Sequence, residues 1–149
     1  MRAGIKMKTY SEEINWKGIG DYLSAARTLT VHGSSNTSGP RIHCQGLALE
    51  LAFKFYLWDK TGTYPGTHDL EALAADHCRD IQLSAEEVAS VQQLNRQYLK
   101  DGEFPYPSRY RPSAMRVFTS MGQSPLEDLI AKIIRSTSRS DLVQRILTR

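Results

Sequence analysis

Long apolar runs are missing from this 149-residue chain: no stretch reaches the roughly 18 consecutive apolar residues of a membrane-spanning helix, so no membrane role is expected. The opening residues, MRAGIKMKTYSEEINW, carry basic side chains but lack the apolar stretch of a secretory signal. Cysteine is scarce. Cys44 and Cys78 belong to no CxxC pair and no Cys/His cluster of zinc spacing, which leaves two free thiols in a reducing, cytoplasmic setting. The glycine-rich phosphate loops GxGxxG and GxxxxGK[ST] are absent, as are GxSxG and HExxH. The four histidines, His32, His43, His68 and His77, include no pair at i,i+4. No metal and no cofactor is therefore expected. Sustained strand alternation, internal repeats and low-complexity tails are missing too.

What is present is helical periodicity in a chain of single-domain length, expected to form one unit over 1–149 with its core at about 11–136. Ser11, followed by Glu12 and Glu13, predicts a capped helix to His32, with Ile14, Tyr22, Ala25, Ala26 and Leu29 as its apolar stripe. After the breaker GSSNTSGP, a second helix runs from about Arg41 to Lys60. It is apolar nearly all round, the pattern of a helix central in a bundle or buried in an oligomer. Gly46 near its start would permit close approach of another backbone. Thr67 can cap a short helix to His77, and the capping box Ser84–Glu87 opens a third main helix to about Lys100. A second box, Ser124–Glu127, opens a fourth to about Ser136, with Leu126, Leu129, Ile130, Ile133 and Ile134 as its stripe. Ser140 caps a last short helix to Leu147, and Arg111–Gly122 is compatible with helix or strand. The expected fold is all-α: an up-down bundle of four main helices plus one or two short ones.

Charge is unevenly placed. Residues 1–95 hold 9 Lys/Arg against 11 Asp/Glu, and residues 96–149 hold 10 against 5. An arginine-rich final third suits an anionic partner, and equally a solvated surface balancing the acidic half within a dimer. Within the second helix, Glu50 and Lys54 stand at i,i+4 in the order that favours an ion pair. On so apolar a helix they form either a structural pair or part of a site. His68 and Asp69 follow across the loop. Adjacent residues at a helix start do not face each other, so Asp69 is expected to serve the helix dipole there.

The order LALELAFKFYL, a Gly-Pro loop, THDLEALA, LNRQYL and PYPSRYRP resembles the HEPN domain family over roughly Gly20 to Ile134. That resemblance implies a small helical bundle, association with nucleotides or RNA, and a homodimer. Many members are metal-independent endoribonucleases of toxin–antitoxin or antiphage systems. Others are non-catalytic, and many pair with a small nucleotidyltransferase. The nucleases carry Arg, a four- to six-residue spacer and His near the start of a late helix. Here no histidine follows Arg79, and the only such spacing is Arg27 to His32 in RTLTVH. The expectation is therefore a non-catalytic nucleotide- or RNA-binding module. Arg96, Arg109 and Arg111 would meet phosphate, Tyr98 and Tyr110 would stack on bases, and Glu50, Lys54, His68 and Asp69 would shape the cleft. The alternatives are a HEPN-type endoribonuclease using His68, or Arg27 with His32, and a scaffold engaging a protein partner through the second helix.

Overall fold

The helix α2, Ser38–Thr61, is the axis of the molecule. The computed structural model describes residues 3–33, 37–99 and 121–149, with side chains from Trp16 onward except Ser38. Around α2 stand α1 (Ala3–His32), the single turn α3 (Leu70–Ala72) running into a π-helical turn (Leu73–His77), a 3-10 turn (Arg79–Ile81), α4 (Ala85–Tyr98), α5 (Gln123–Arg135) and α6 (Leu142–Leu147). No strand occurs among the described residues. None of these helices is long and apolar enough to cross a membrane. Most of Arg111–Gly122, the segment of open secondary structure, lies outside the described residues.

The all-round apolarity of α2 has a plain cause: α1, α4 and α5 all pack on it. Ile42, Leu49, Phe53 and Phe55 are fully buried, and Tyr56, Leu57 and Trp58 nearly so. Each such side chain contributes on the order of 1.5–3 kcal/mol by leaving water. Leu47 and Leu51, which helical spacing places on the same face as Phe55, are only partly covered. The stripe of α5 is buried as its spacing requires, through Leu126, Leu129, Ile130, Ile133 and Ile134. Of the expected α1 stripe, Ala26 is buried as expected and the Ile14 side chain lies outside the described residues, but the rest is rotated. Trp16, Ile19, Leu23 and Ala26 face the core, whereas Tyr22, Ala25 and Leu29 are partly exposed.

Several helix boundaries differ from the sequence reading. α1 starts at Ala3, so Ser11 lies inside it and is no cap. Asp69 rather than Thr67 caps α3, its carboxylate accepting from the Glu71 and Ala72 amides. The Ser84–Glu87 box forms in full. The Ser124–Glu127 box does not: α5 begins two residues earlier, after Gly122, with no side-chain cap. Glu127 is diverted, accepting from Arg27 Nη2 at 2.7 Å and from Gln123 Nε2 at 2.6 Å. α2 ends as helices commonly do, on Gly62 at φ 84°, whose N–H reaches the Trp58 carbonyl.

The C-terminal turn is strapped to α1. Arg27 donates to Glu127 and to the Leu147 carbonyl, and Arg149 donates to Asp21 at 2.7 Å. Trp16 lies beneath the Arg145 guanidinium, 4.7 Å from its ring centroid. Asp59 at the end of α2 accepts from both the amide and hydroxyl of Ser138, fixing the turn between α5 and α6.

Candidate functional site

His43, Gly46, Glu50 and Lys54 recur every three or four residues along α2, so they share one face, and that face looks toward α4 and the loop before α3. Glycine at 46 is required by what it meets. A Cβ there would stand 2.1 Å from Cδ1 of Tyr98. The expected close approach of a backbone is thus the approach of an aromatic ring. With its ring against Gly46, Tyr98 turns its hydroxyl onto Glu50 and donates to Oε1 at 2.7 Å.

Glu50 is the centre of the cluster. Its Oε2 accepts from Lys54 Nζ at 2.8 Å and lies 2.9 Å from His68 Nδ1. Three donors on one carboxylate offset the cost of burying it. Glu50 is 4% exposed and Lys54 7%, so the pair is interior and the small values of surface ion pairs do not apply. The Lys54 ammonium also sits 5.6 Å from the ring centroid of Tyr64, which is itself partly exposed. A carboxylate only accepts, so the short contact to Glu50 places a proton on His68 Nδ1. The His68 side chain is about one-third exposed, and it forms the solvent edge of an otherwise interior network.

The loop carrying His68 is pinned from α4. Asn95 Nδ2 donates to Asp69 Oδ1 at 2.9 Å, and Asn95 Oδ1 accepts from the Leu70 amide at 2.9 Å. Asp69 serves the helix start, as expected, and carries this tie besides. Asn95 and Tyr64 were missed by motif reasoning. Asn95 could have been found as the polar residue in the Val91, Leu94, Tyr98 stripe of α4. Tyr64 carried no comparable signal.

Of the residues expected to bind nucleotide, Arg96 is exposed on α4, next in sequence to Asn95. Tyr98 is fully buried, with its hydroxyl on Glu50 and its ring on Gly46, so it offers no face to a base. Arg109, Tyr110 and Arg111 lie outside the described residues. Arg27 and His32 do not form a pair. Five residues on a helix separate them by about 140° around the axis. Arg27 is committed to Glu127 and Leu147, and His32 is exposed in the last turn of α1. Other late arginines are likewise engaged within the chain: Arg139 on Asp141, Arg145 on Trp16 and Arg149 on Asp21. Among the described residues no three His, Cys, Asp or Glu side chains gather in a metal-binding group. The face of α2 offered to a protein partner is reduced by its own packing to a shallow groove with Cys44, Leu47 and Leu51 beside α1.

Two further titratable groups are tuned by their surroundings. The hydrogen bond from Tyr56 holds Asp80 below the usual carboxylate range, with the Lys60 charge adding to it. For Glu87, burial works to raise its pKa and is outweighed by Lys132 and by the Ser84 bonds of the capping box, so the net direction is downward. A scan of protein-family models found no match to the chain, and searches of curated proteins and of solved structures found none, so the geometry around Glu50 carries the functional reading.

Proposed function

We propose that this chain is a non-catalytic, cytoplasmic nucleotide- or RNA-binding helical module. The observation that carries this reading is the pinned rim. Asn95 ties α4 to the His68–Asp69 loop, so the exposed Arg96 and the partly exposed His68 stand on the two elements that this one side chain joins. A guanidinium standing beside a loop held in this way suits a phosphate, because the loop is ordered before the ligand arrives. Glu50 is buried and engaged by three internal partners, which favours a shaping role for it over a chemical one. The HEPN resemblance adds a homodimer, a toxin–antitoxin setting and a small nucleotidyltransferase-type partner to the proposal.

The test is equilibrium binding of AMP, ATP and a short fluorescent single-stranded RNA at low salt. Saturable binding weakened by Arg96→Gln and His68→Ala supports the reading. Binding that ignores both substitutions, or no binding, refutes it.

One observation favours the endoribonuclease reading as second. Glu50 orients His68 through Nδ1 at 2.9 Å, the arrangement by which a carboxylate sets an imidazole to take a proton through Nε2. On RNA that proton would be the one on a 2′-hydroxyl. Cleavage of RNA in chelator, abolished by His68→Ala, would establish this reading over the non-catalytic one.

A further inference from the structure

A second site is built on the other side of α3. An open cleft of about 390 Å3 lies between the π-helical turn, the 3-10 turn and α4. That volume falls at the lower end of the range that holds small molecules, roughly 300–1,000 Å3. The cleft shares no side chain with the Glu50 cluster.

Its floor is apolar, with Ala74, Leu83, Val88 and Val91 around Cys78. Burial, with the Asp80 charge behind it, pushes the Cys78 thiol up to about 12, so it stays neutral and packs as apolar surface. The walls are held before any ligand arrives. Gln82 has φ 61°, in the left-handed region a glutamine seldom adopts. Its carbonyl accepts from Lys132 Nζ at 3.1 Å, and the same ammonium donates to Glu87 Oε1 at 2.8 Å. One lysine of α5 thereby fixes both the left-handed turn and the start of α4.

The mouth is polar and asymmetric. The Glu71 carboxylate accepts from the Gln92 amide at 3.0 Å. Arg79 is exposed, and its guanidinium makes no hydrogen bond or ion pair with any described residue. A fixed apolar floor beside one uncommitted guanidinium selects a molecule with an apolar body and an acid group. The Glu71 carboxylate in the same lining disfavours a second acid group on the same ligand.

We propose that this cleft binds a small apolar monocarboxylate, one or two rings in size, with its rings over Cys78, Leu83 and Val91 and its carboxylate on Arg79. The proposal does not depend on the nucleotide reading.

The experiment titrates the full chain with 2-naphthoate and, separately, with uncharged 2-naphthalenemethanol, following backbone amide shifts by NMR. The expected result is saturable shifts centred on Ala75, Arg79, Gln82 and Val88. Arg79→Gln, at an exposed side chain without internal partners, should weaken naphthoate binding roughly 5- to 30-fold and leave the alcohol unchanged. Ala75→Trp, which fills the cleft from its exposed wall, should weaken both. Shifts centred elsewhere, no saturable binding, or an equal effect of Arg79→Gln on both probes would overturn the proposal.

Discussion

Replacing Glu50 with glutamine changes one charge at the centre of the molecule and almost nothing in shape. The amide oxygen can still accept from Tyr98 or His68, but Lys54 then has no anion within reach of its 2.8 Å contact. An ammonium 7% exposed is left facing a neutral amide and the Tyr64 ring. Removing one partner of a buried pair costs about 3–5 kcal/mol, and the retained hydrogen bonds argue for the lower end, about 3. Lys54→Met strands Glu50 instead, with Tyr98 and His68 still donating, and should cost about 2–3 kcal/mol on the same grounds. The double variant removes both charges together. Its loss should fall short of the summed single losses by at least about 2 kcal/mol, because the stranded charge in each single variant is absent. Urea unfolding followed by circular dichroism measures all three. A loss of about 3 kcal/mol lowers the midpoint by roughly 1–3 M, and lowers the melting temperature by about 6–12 °C for a chain of this length. Single losses below about 1 kcal/mol that simply add would refute an interior, mutually dependent pair.

Gly46→Ala should lower stability by about 1–3 kcal/mol or more, because the added Cβ would stand 2.1 Å from a Tyr98 ring that is itself anchored at Glu50; an unchanged melting temperature would contradict the packing. Asn95→Ala leaves the Leu70 amide without its acceptor and should cost about 1–3 kcal/mol, with faster hydrogen exchange at Leu70–Ala72 than elsewhere in the bundle; uniform exchange would count against the tie. Asp80 and Glu87 have lowered pKa values in the fold, so their contribution is present above the unfolded values near 4 and is lost as pH falls through the lowered ones; the urea midpoint should drop between about pH 5 and pH 3, and less steeply in Glu87→Gln.

Much of the bundle was legible because strong periodicity and burial agree. The α5 stripe repeats at helical spacing and each of its apolar residues is interior. The Ser84–Glu87 box is local chemistry between residues three apart, so sequence suffices to place it. The Ser124–Glu127 box uses the same letters and fails because Arg27, about a hundred residues away in sequence, claims the glutamate. The α1 stripe was misplaced by a similar tertiary choice: the core admits Ile19 and Leu23 in preference to Tyr22 and Leu29. At the candidate site, the Glu50–Lys54 pair follows from helical spacing. The meeting of His68 with Glu50 spans eighteen residues and a loop, and no local rule joins them. Tyr98 illustrates the limit most plainly. A tyrosine in an arginine-bearing helix suggests a stacking platform, yet the absence of a side chain at Gly46 draws the ring inward.

The central claim is that a phosphate-bearing ligand meets Arg96 beside the pinned His68 loop. It is tested most directly by the salt dependence of RNA binding in the native chain and in Arg96→Gln. Removing one cation that neutralises a phosphate should reduce the slope of log affinity against log salt by about 0.7 for a single strand. The account predicts weaker binding and a shallower slope by about that amount in the variant. An identical slope and affinity in the two proteins would contradict it.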